Sequence, residues 1–327
     1  MQRSTPHAAS TLLADKRVVV LGSGKVGSAV ARLLSEAGLR VTEVTTRSLA
    51  TAENAAVRTG AKAGTDNAAA AAKGDIVLVT VNDDSVSIVV AQVAAAGGFR
   101  RGQLVVHMSG ALPLSVLEPA AKQGALIGCA HPLQSFATFD DASAAMPGSV
   151  FGITPGPGSL QALEVLVDLL GGTSVLVDDQ NKALYHAAAV IASNYLVAVE
   201  DMAVQVLTSA GFDRESALGA LQPLISGTVD NIRARGTTGA LTGPIVRGDV
   251  DTVRSHVAAL RQLPGAELHL YRSLGRHTLE IARRRDTLDA ETIEALREVL
   301  ADERGAAADD LPRAIVDGGP SASKEHS

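Results

Sequence analysis

Residues 17–38, R-V-V-V-L-G-S-G-K-V-G-S-A-V-A-R-L-L-S-E-A-G, constrain the fold more than any other stretch of the chain. Val18, Val19, Val20 and Leu21 make a short unbroken apolar run, the pattern of a strand buried on both faces. Gly22, Gly24 and Gly27 follow as G-x-G-x-x-G, and Val26, Ala29, Val30, Leu33, Leu34 and Ala37 then recur at helical spacing until Gly38. Strand, glycine turn and helix in this order suit a dinucleotide. Gly22 allows the tight turn, Gly24 lets a pyrophosphate touch the backbone, and Gly27 lets helix and strand pack closely, with the phosphates at the positive helix N-terminus. Ser23, Lys25 and Val26 complete the expected contacts of this turn. Glycines also mark ordinary turns, but the flanking strand and helix favour a nucleotide site.

Residues 39–46 read as a second strand, ending at Thr46, Arg47 and Ser48. An acidic residue about 20 positions after the fingerprint holds the ribose hydroxyls of NAD, whereas an arginine suits the 2′-phosphate of NADP. Arg47 stands 20 residues after Gly27, and Glu43 falls within the strand, so the pattern favours NADP(H). The plainer reading of Arg47 is a solvated surface residue. Residues 76–81 form another buried strand, and Val81, Asn82 and Asp83 at its end are expected to border the cofactor. Asp83, Asp84 and Ser85 also have the composition of helix caps.

The strand at 103–107 leads to Ser109, expected near the nicotinamide end, and the strand at 125–130 leads to His131-Pro132. His131 is read either as a substrate or cofactor contact or as a structural histidine bonded to backbone. Strands at 150–154 and 174–177 around a helix at 159–170 complete the alternation. The expectation is an α/β domain at 16–178 with a doubly wound parallel sheet, preceded by a loose arm at 1–15.

Beyond residue 178 the pattern is all-α. A long helix from Lys182 to about residue 210, capped by Asp178 or Asp179, places Lys182, His186, Ala189 and Ser193 on one face, flanked by Tyr185 and Asn194. Singly, Lys182 reads as an exposed helix-start lysine and His186 as a packed histidine; together with Tyr185 beside a nucleotide domain they become candidates for proton handling. Residues 186–210 are apolar but interrupted by Asn194, Glu200 and Asp201, which predicts a buried helix of a soluble protein rather than a membrane span. A helix at 213–235 broken near Pro223, a flexible loop at 236–244, and helices at 249–262, 266–285 and 290–301 finish a domain at 179–303. Its small apolar residues permit dimerisation through this domain. The tail at 304–327 has the composition of a disordered segment.

With 35 acidic and 29 basic residues and a net charge of −6, nothing favours a nucleic acid or an anionic membrane as partner. The single Cys129 has no disulfide partner and no metal-site spacing, which fits a reducing cytoplasm.

Four segments, G-S-G-K-V-G, H-P-L-Q-S-F, K-A-L-Y-H-A-A-A-V-I-A-S-N-Y and A-L-T-G-P-I-V-R-G-D, give the chain a resemblance to a bacterial family. Over roughly residues 16–303 it resembles proteins with a Rossmann-like domain followed by domain of unknown function 2520. The family is similar in architecture to deazaflavin-dependent NADP oxidoreductases, pyrroline-5-carboxylate reductases and 6-phosphogluconate-type dehydrogenases, which pair a nucleotide domain with a helical dimerising domain. The resemblance implies a Rossmann domain, a C-terminal domain like that of 6-phosphogluconate dehydrogenase, a homodimer and a nicotinamide cofactor.

Some relatives are similar to ketopantoate reductases, which makes a small 2-keto acid one concrete substrate. The hydroxyacid dehydrogenases of the wider group use a helix lysine and an asparagine one turn on. Here the residue four beyond Lys182 is His186, so that assignment does not transfer. The sequence thus points to an NADP(H)-dependent oxidoreductase acting on a small carbonyl, imine or alcohol, with Lys182 or His186 handling the proton and Ser109, His131 and Asn194 positioning the substrate. A protein that senses NADP(H) or a metabolite without turnover is the alternative; no motif marks a deazaflavin site.

Overall fold

The computed structural model describes residues 12–302. Most of the expected arm at 1–15 and all of the expected tail at 304–327 lie outside the described residues. The first part alternates β1 (Arg17–Leu21), α1 (Lys25–Glu36), β2 (Arg40–Thr45), α2 (Leu49–Thr59), β3 (Lys62–Gly64), α3 (Asn67–Ala71), β4 (Ile76–Val79), α4 (Asp83–Ala95) and β5 (Leu104–His107). It continues through α5 (Glu118–Ala121), β6 (Leu126–Pro132), α6 (Phe139–Ala145), β7 (Val150–Pro155), α7 (Leu160–Leu169) and β8 (Thr173–Leu176).

The strands form one sheet in the order β3-β2-β1-β4-β5-β6-β7-β8. Helices cover both faces, so β4 and β5 are buried at every position, which is why their sequences read as unbroken apolar runs. One face packs Val18, Val20, Leu78 and Val106 with Leu34 and Leu166; the other packs Val19, Leu21, Val77 and Val105 with Val90 and Leu117. The order of the strands reverses at β1, between β2 and β4, and the carboxyl ends of β1 and β4 meet there.

The doubly wound α/β fold holds, with one correction to the expected parallel sheet. β7 runs antiparallel to β6, and β8 follows β7 in parallel. The segment joining β6 to β7 does not cross the sheet: its helix α6 packs against α1, and the Arg58 guanidinium lies 4.5 Å from the Phe139 ring centre.

The remaining elements are helices: α8 (Lys182–Ala192), α9 (Asn194–Ser209), α10 (Arg214–Ala240), α11 (Pro244–Arg247), α12 (Val250–Leu260), α13 (Glu267–Arg283) and α14 (Ala290–Leu300). The chain divides into two compact units between Leu196 and Val197, so α8 belongs with the sheet. The second unit has its own core of Ile245, Val253, Leu279, Ala282, Leu296 and Leu300.

Several helical expectations are corrected. The single helix from Lys182 to about residue 210 is two, divided at Ser193, where φ is −119° and ψ −72°. Neither Asp178 nor Asp179 caps α8 through its side chain; Asp179 instead accepts from the Leu114 backbone N–H at 2.8 Å, tying the start of α8 to the segment after β5. Pro223 lies inside α10, and the interruption comes at Gly236, whose φ of 67° belongs to the left-handed region that glycine enters freely. The 236–244 stretch is partly helical, and Arg285 Nε binds the Thr238 carbonyl at 2.8 Å while its Nη2 reaches the Leu241 carbonyl at 2.7 Å.

The apolar segment expected to be buried is instead exposed. Within Asp179–Ser209, long and apolar enough by length and composition to cross a membrane, only 6% of the apolar window is buried. An apolar helix records a need for cover, and that cover need not come from its own chain.

The close contact of α1 with β4 generates a test. Gly27→Ala, whose new methyl runs into the Gly22 carbonyl and the Thr80 hydroxyl, is expected to cost about 1–3 kcal/mol in urea unfolding. Gly24→Ala, where no atom lies within 4 Å of the new carbon, is expected to cost about 1 kcal/mol or less. Equal losses would show that position 27 is not sterically special.

Candidate active site

Gly22 sits at φ +99°, and a Cβ there would lie 2.6 Å from the Val81 nitrogen. Thr80 Oγ1 donates to the Gly22 carbonyl at 2.6 Å, closing the floor of the turn against β4. Gly24 opens α1 without a side-chain cap and faces free space. Ser23 Oγ is buried with no partner. An uncapped helix N-terminus, an unpartnered hydroxyl and a backbone bare of side chain are what a pyrophosphate needs, so these residues fit the expected dinucleotide.

They border a cleft of about 580 Å³ lined by Gly24, Lys25, Val26, Val79, Thr80, Val81, Asn82, Asp83, Met108 and Ser109. Most of the expected cofactor contacts therefore gather around one opening. Thr46, Arg47 and Ser48 follow the end of β2, the strand beside β1, and Arg47 is exposed. Glu43 does not compete for a ribose: it is buried in β2 and paired with Lys73 Nζ at 2.9 Å.

Ser109 connects this cleft to a polar cluster. Its hydroxyl donates to Asp83 Oδ2 at 2.7 Å and accepts from the Ala111 and Leu112 N–H groups at 3.2 Å. The hydroxyl proton goes to Asp83, and the bond fastens the loop after β5 to the start of α4. The Ser109 carbonyl accepts from Cys129 Sγ at 3.2 Å and from Lys182 Nζ at 3.4 Å, and Lys182 Nζ also donates to Cys129 Sγ at 3.0 Å. Lys182, at 3% exposure, is not the exposed helix-start residue of the plainer reading.

Cys129 and His131 stand two residues apart on β6 and so share a face, while His107 of β5 pairs with Cys129 on the neighbouring strand. His131 lies within β6 rather than beyond it, since the strand continues to Pro132. Its ring centre is 6.1 Å from that of His186. The two approach because residue 110 is glycine: a Cβ there would lie 2.8 Å from His131 Cε1 and 2.9 Å from His186 Nδ1. That His186 nitrogen is buried without a partner.

Structure thus brings Lys182, His131, His186 and Ser109 together. Asn194, also expected here, stands exposed at the start of α9, after the break at Ser193, and is not part of the group. Sequence reading missed Thr80, Met108, Gly110 and the parts played by His107 and Cys129. The two-residue spacing of Cys129 and His131 on one strand was the available signal.

Burial dominates the electrostatics of this cluster. It pushes the Cys129 thiol up, so Cys129 is a neutral acceptor for Lys182. Burial, followed by the nearby Lys182, lowers His107 to about 3. Burial, then His186 and Lys182, lowers His131 to about 4 against an opposing pull from Asp83. Both imidazoles are neutral at pH 7.

Their depressed values link stability to pH. The unfolded chain takes up protons as pH falls below 6.5 and the folded chain only near 4 and 3, so the stabilisation present above 6.5 is lost as pH falls through that window. The loss is on the order of 3 kcal/mol per histidine. His107→Gln is expected to flatten the fall in urea-unfolding free energy between about pH 6.5 and 4; an unchanged slope would contradict the assigned burial effect.

No protein of curated function matches the sequence. Among solved structures, a protein of Bacteroides fragilis provisionally named an NADP oxidoreductase superposes with a TM-score of 0.66 at 23% identity, covering 81% of this chain and 98% of that one. A Thermotoga maritima protein gives 0.65 at 24%, covering 82% and 99%. Pyrroline carboxylate reductase of Plasmodium falciparum, solved with NADP bound, gives 0.52 at 12%, covering 88% and 100%. These likenesses share the architecture of a sheet domain followed by helices. The family model of a Rossmann-like domain matches residues 4–132, and that of domain of unknown function DUF2520 matches residues 149–278. The chain is therefore a member of the proteins that join a Rossmann-like domain to a DUF2520 domain.

Proposed function

We propose that the protein is an NADP(H)-dependent oxidoreductase that transfers a hydride between the nicotinamide and a small carbonyl, imine or alcohol carbon, a 2-keto acid such as ketopantoate being one candidate substrate. The observation that carries this reading is the position of Ser109. It lines the cleft opened by the glycine turn, and its carbonyl holds the buried Lys182 amino group at 3.4 Å. A nucleotide site and a proton-bearing site therefore share one residue. The architecture of the NADP-dependent reductases among the structural neighbours supports the same reading.

The nicotinamide supplies or accepts the hydride. The residues of this chain bind and orient. Gly22, Ser23, Gly24, Lys25, Val26 and Gly27 receive the pyrophosphate, Val81, Asn82 and Asp83 border the passage to the reacting end, and Thr46, Arg47 and Ser48 receive the 2′-phosphate. Lys182 donates to the substrate's oxygen or nitrogen, and His186, whose buried Nδ1 lacks a partner, is placed to exchange a proton nearby.

The exposed apolar helices call for a partner surface. Ile191 and Val197 are 61% and 69% exposed and Leu224 is 67% exposed. We assign this cover to a second copy of the chain, giving a homodimer, and place the protein in the cytoplasm, where Cys129 stays a thiol.

Purified protein mixed with NADPH and then with pools of 2-keto acids, cyclic imines or aldehydes tests the activity. Enhanced cofactor fluorescence abolished by one pool, with oxidised cofactor recovered, is the expected outcome; binding without oxidation by any pool would favour a sensing role. Lys182→Met is expected to lower turnover by about 10²–10⁴-fold with NADPH affinity little changed. Arg47→Ala is expected to weaken NADPH about tenfold and leave NADH unaffected, corresponding to roughly 1.4 kcal/mol. Equal effects on both cofactors would remove Arg47 from phosphate recognition. Val197→Asp should convert a dimer in analytical ultracentrifugation to a monomer; a wild-type monomer would sink the assigned cover.

A further inference from the structure

Tyr185 is the polar residue of α8 that neither the cofactor nor the lysine accounts for. Its hydroxyl lies 2.9 Å from His131 Nδ1, with the rings edge to face at 88°. The hydroxyl also lies over β7: a Cβ at residue 152 would lie 2.6 Å from Tyr185 Oη. Glycine at 152 is thus what admits the hydroxyl to the face of the sheet over β7.

The chemistry of the pair sets the direction of the bond. A phenol hydroxyl is a stronger donor than a neutral imidazole N–H, and an imidazole nitrogen a stronger acceptor than a phenol oxygen, so Tyr185 gives its proton to the bond. His131 Nδ1 is the acceptor within reach. An imidazole whose Nδ1 accepts carries its proton on Nε2 when neutral. No described residue bonds His131 Nε2, which leaves that N–H free to donate outward.

We infer that Tyr185 is a positioning residue that locks His131 in the Nε2–H tautomer and thereby makes it a neutral hydrogen-bond donor for an oxygen of the substrate.

The surrounding groups agree with this assignment. The groups facing His131 are Tyr185, His186 and Lys182 from α8, Asp83 from α4, His107 from β5, Cys129 beside it on β6 and the Gly110 backbone after β5. Burial raises the Tyr185 hydroxyl to about 12, so it keeps its proton across the physiological range. Lys182 and His186 oppose a charge on His131 more than Asp83 favours one. A neutral imidazole can polarise a carbonyl by donation without itself becoming an acid. The donor role rests on the oxidoreductase reading, whereas the tautomer does not.

Nitrogen-15 NMR of the full-length protein labelled in histidine tests it without a known substrate. His131 is assigned by the signal lost in His131→Asn, and NADPH binding is followed by fluorescence on the same samples. In the wild type His131 is expected to show a protonated Nε2 and an unprotonated Nδ1, unchanged from pH 8 to below pH 6. Tyr185→Phe, which removes only the hydroxyl, is expected to give a mixture of tautomers, with NADPH binding retained. A protonated Nδ1 in the wild type overturns the inference, as does a Tyr185→Phe spectrum in which the tautomer is unchanged. A wild type that shows the expected tautomer but fails to bind NADPH overturns the cofactor reading instead, so the two failures are distinct.

Discussion

The hydroxyl of Thr80 reaches the Gly22 carbonyl at 2.6 Å, and Gly27 fits against both. This three-way contact between the turn, the end of β4 and the first helix sets the distance of α1 from the sheet. The cleft over β1 and β4 follows from it. Lys25 and Val26 on one wall and Val81, Asn82 and Asp83 on the other then face a common space. Asp83 passes the constraint to Ser109, and Ser109 passes it to Lys182. Positioning thus runs from a backbone contact in the glycine turn to a lysine more than a hundred residues away in the chain.

The first half of the fold was legible because its physics is local. Buried parallel strands are continuous apolar runs, and β1, β4 and β5 display them without interruption. The antiparallel turn of β7 was hidden because strand direction depends on where the preceding helix packs, and α6 packs on α1. The short β3 lacks an apolar run of its own. Among the helices, periodicity located each segment but not its breaks. Pro223 looked like the stronger breaker than Gly236, yet the backbone reverses its handedness at the glycine.

The site was legible where residue type and spacing carry chemistry, as for Lys182, His186 and the glycine turn, and obscure where only three-dimensional proximity does. Cys129 read as a remark on redox compartment, whereas in the fold its sulfur receives the lysine's proton donation at 3.0 Å. Gly110 carried no signal at all, since its importance lies in the imidazoles that a side chain would displace. Asn194 had the right chemistry on the expected helix; the break at Ser193 separates its helix from the one that carries the cluster. Burial keeps the His107 and His131 imidazoles and the Cys129 thiol near this lysine neutral.

The three glycines of the turn differ in what they serve. Gly22 and Gly27 answer to the chain itself, one through a left-handed backbone and the other through contact with Thr80. Gly24 has an ordinary φ of −72° and nothing near the missing side chain. The fold therefore dictates glycine at two of the three positions and leaves the third unconstrained, so a side chain at 24 would meet only the open cleft.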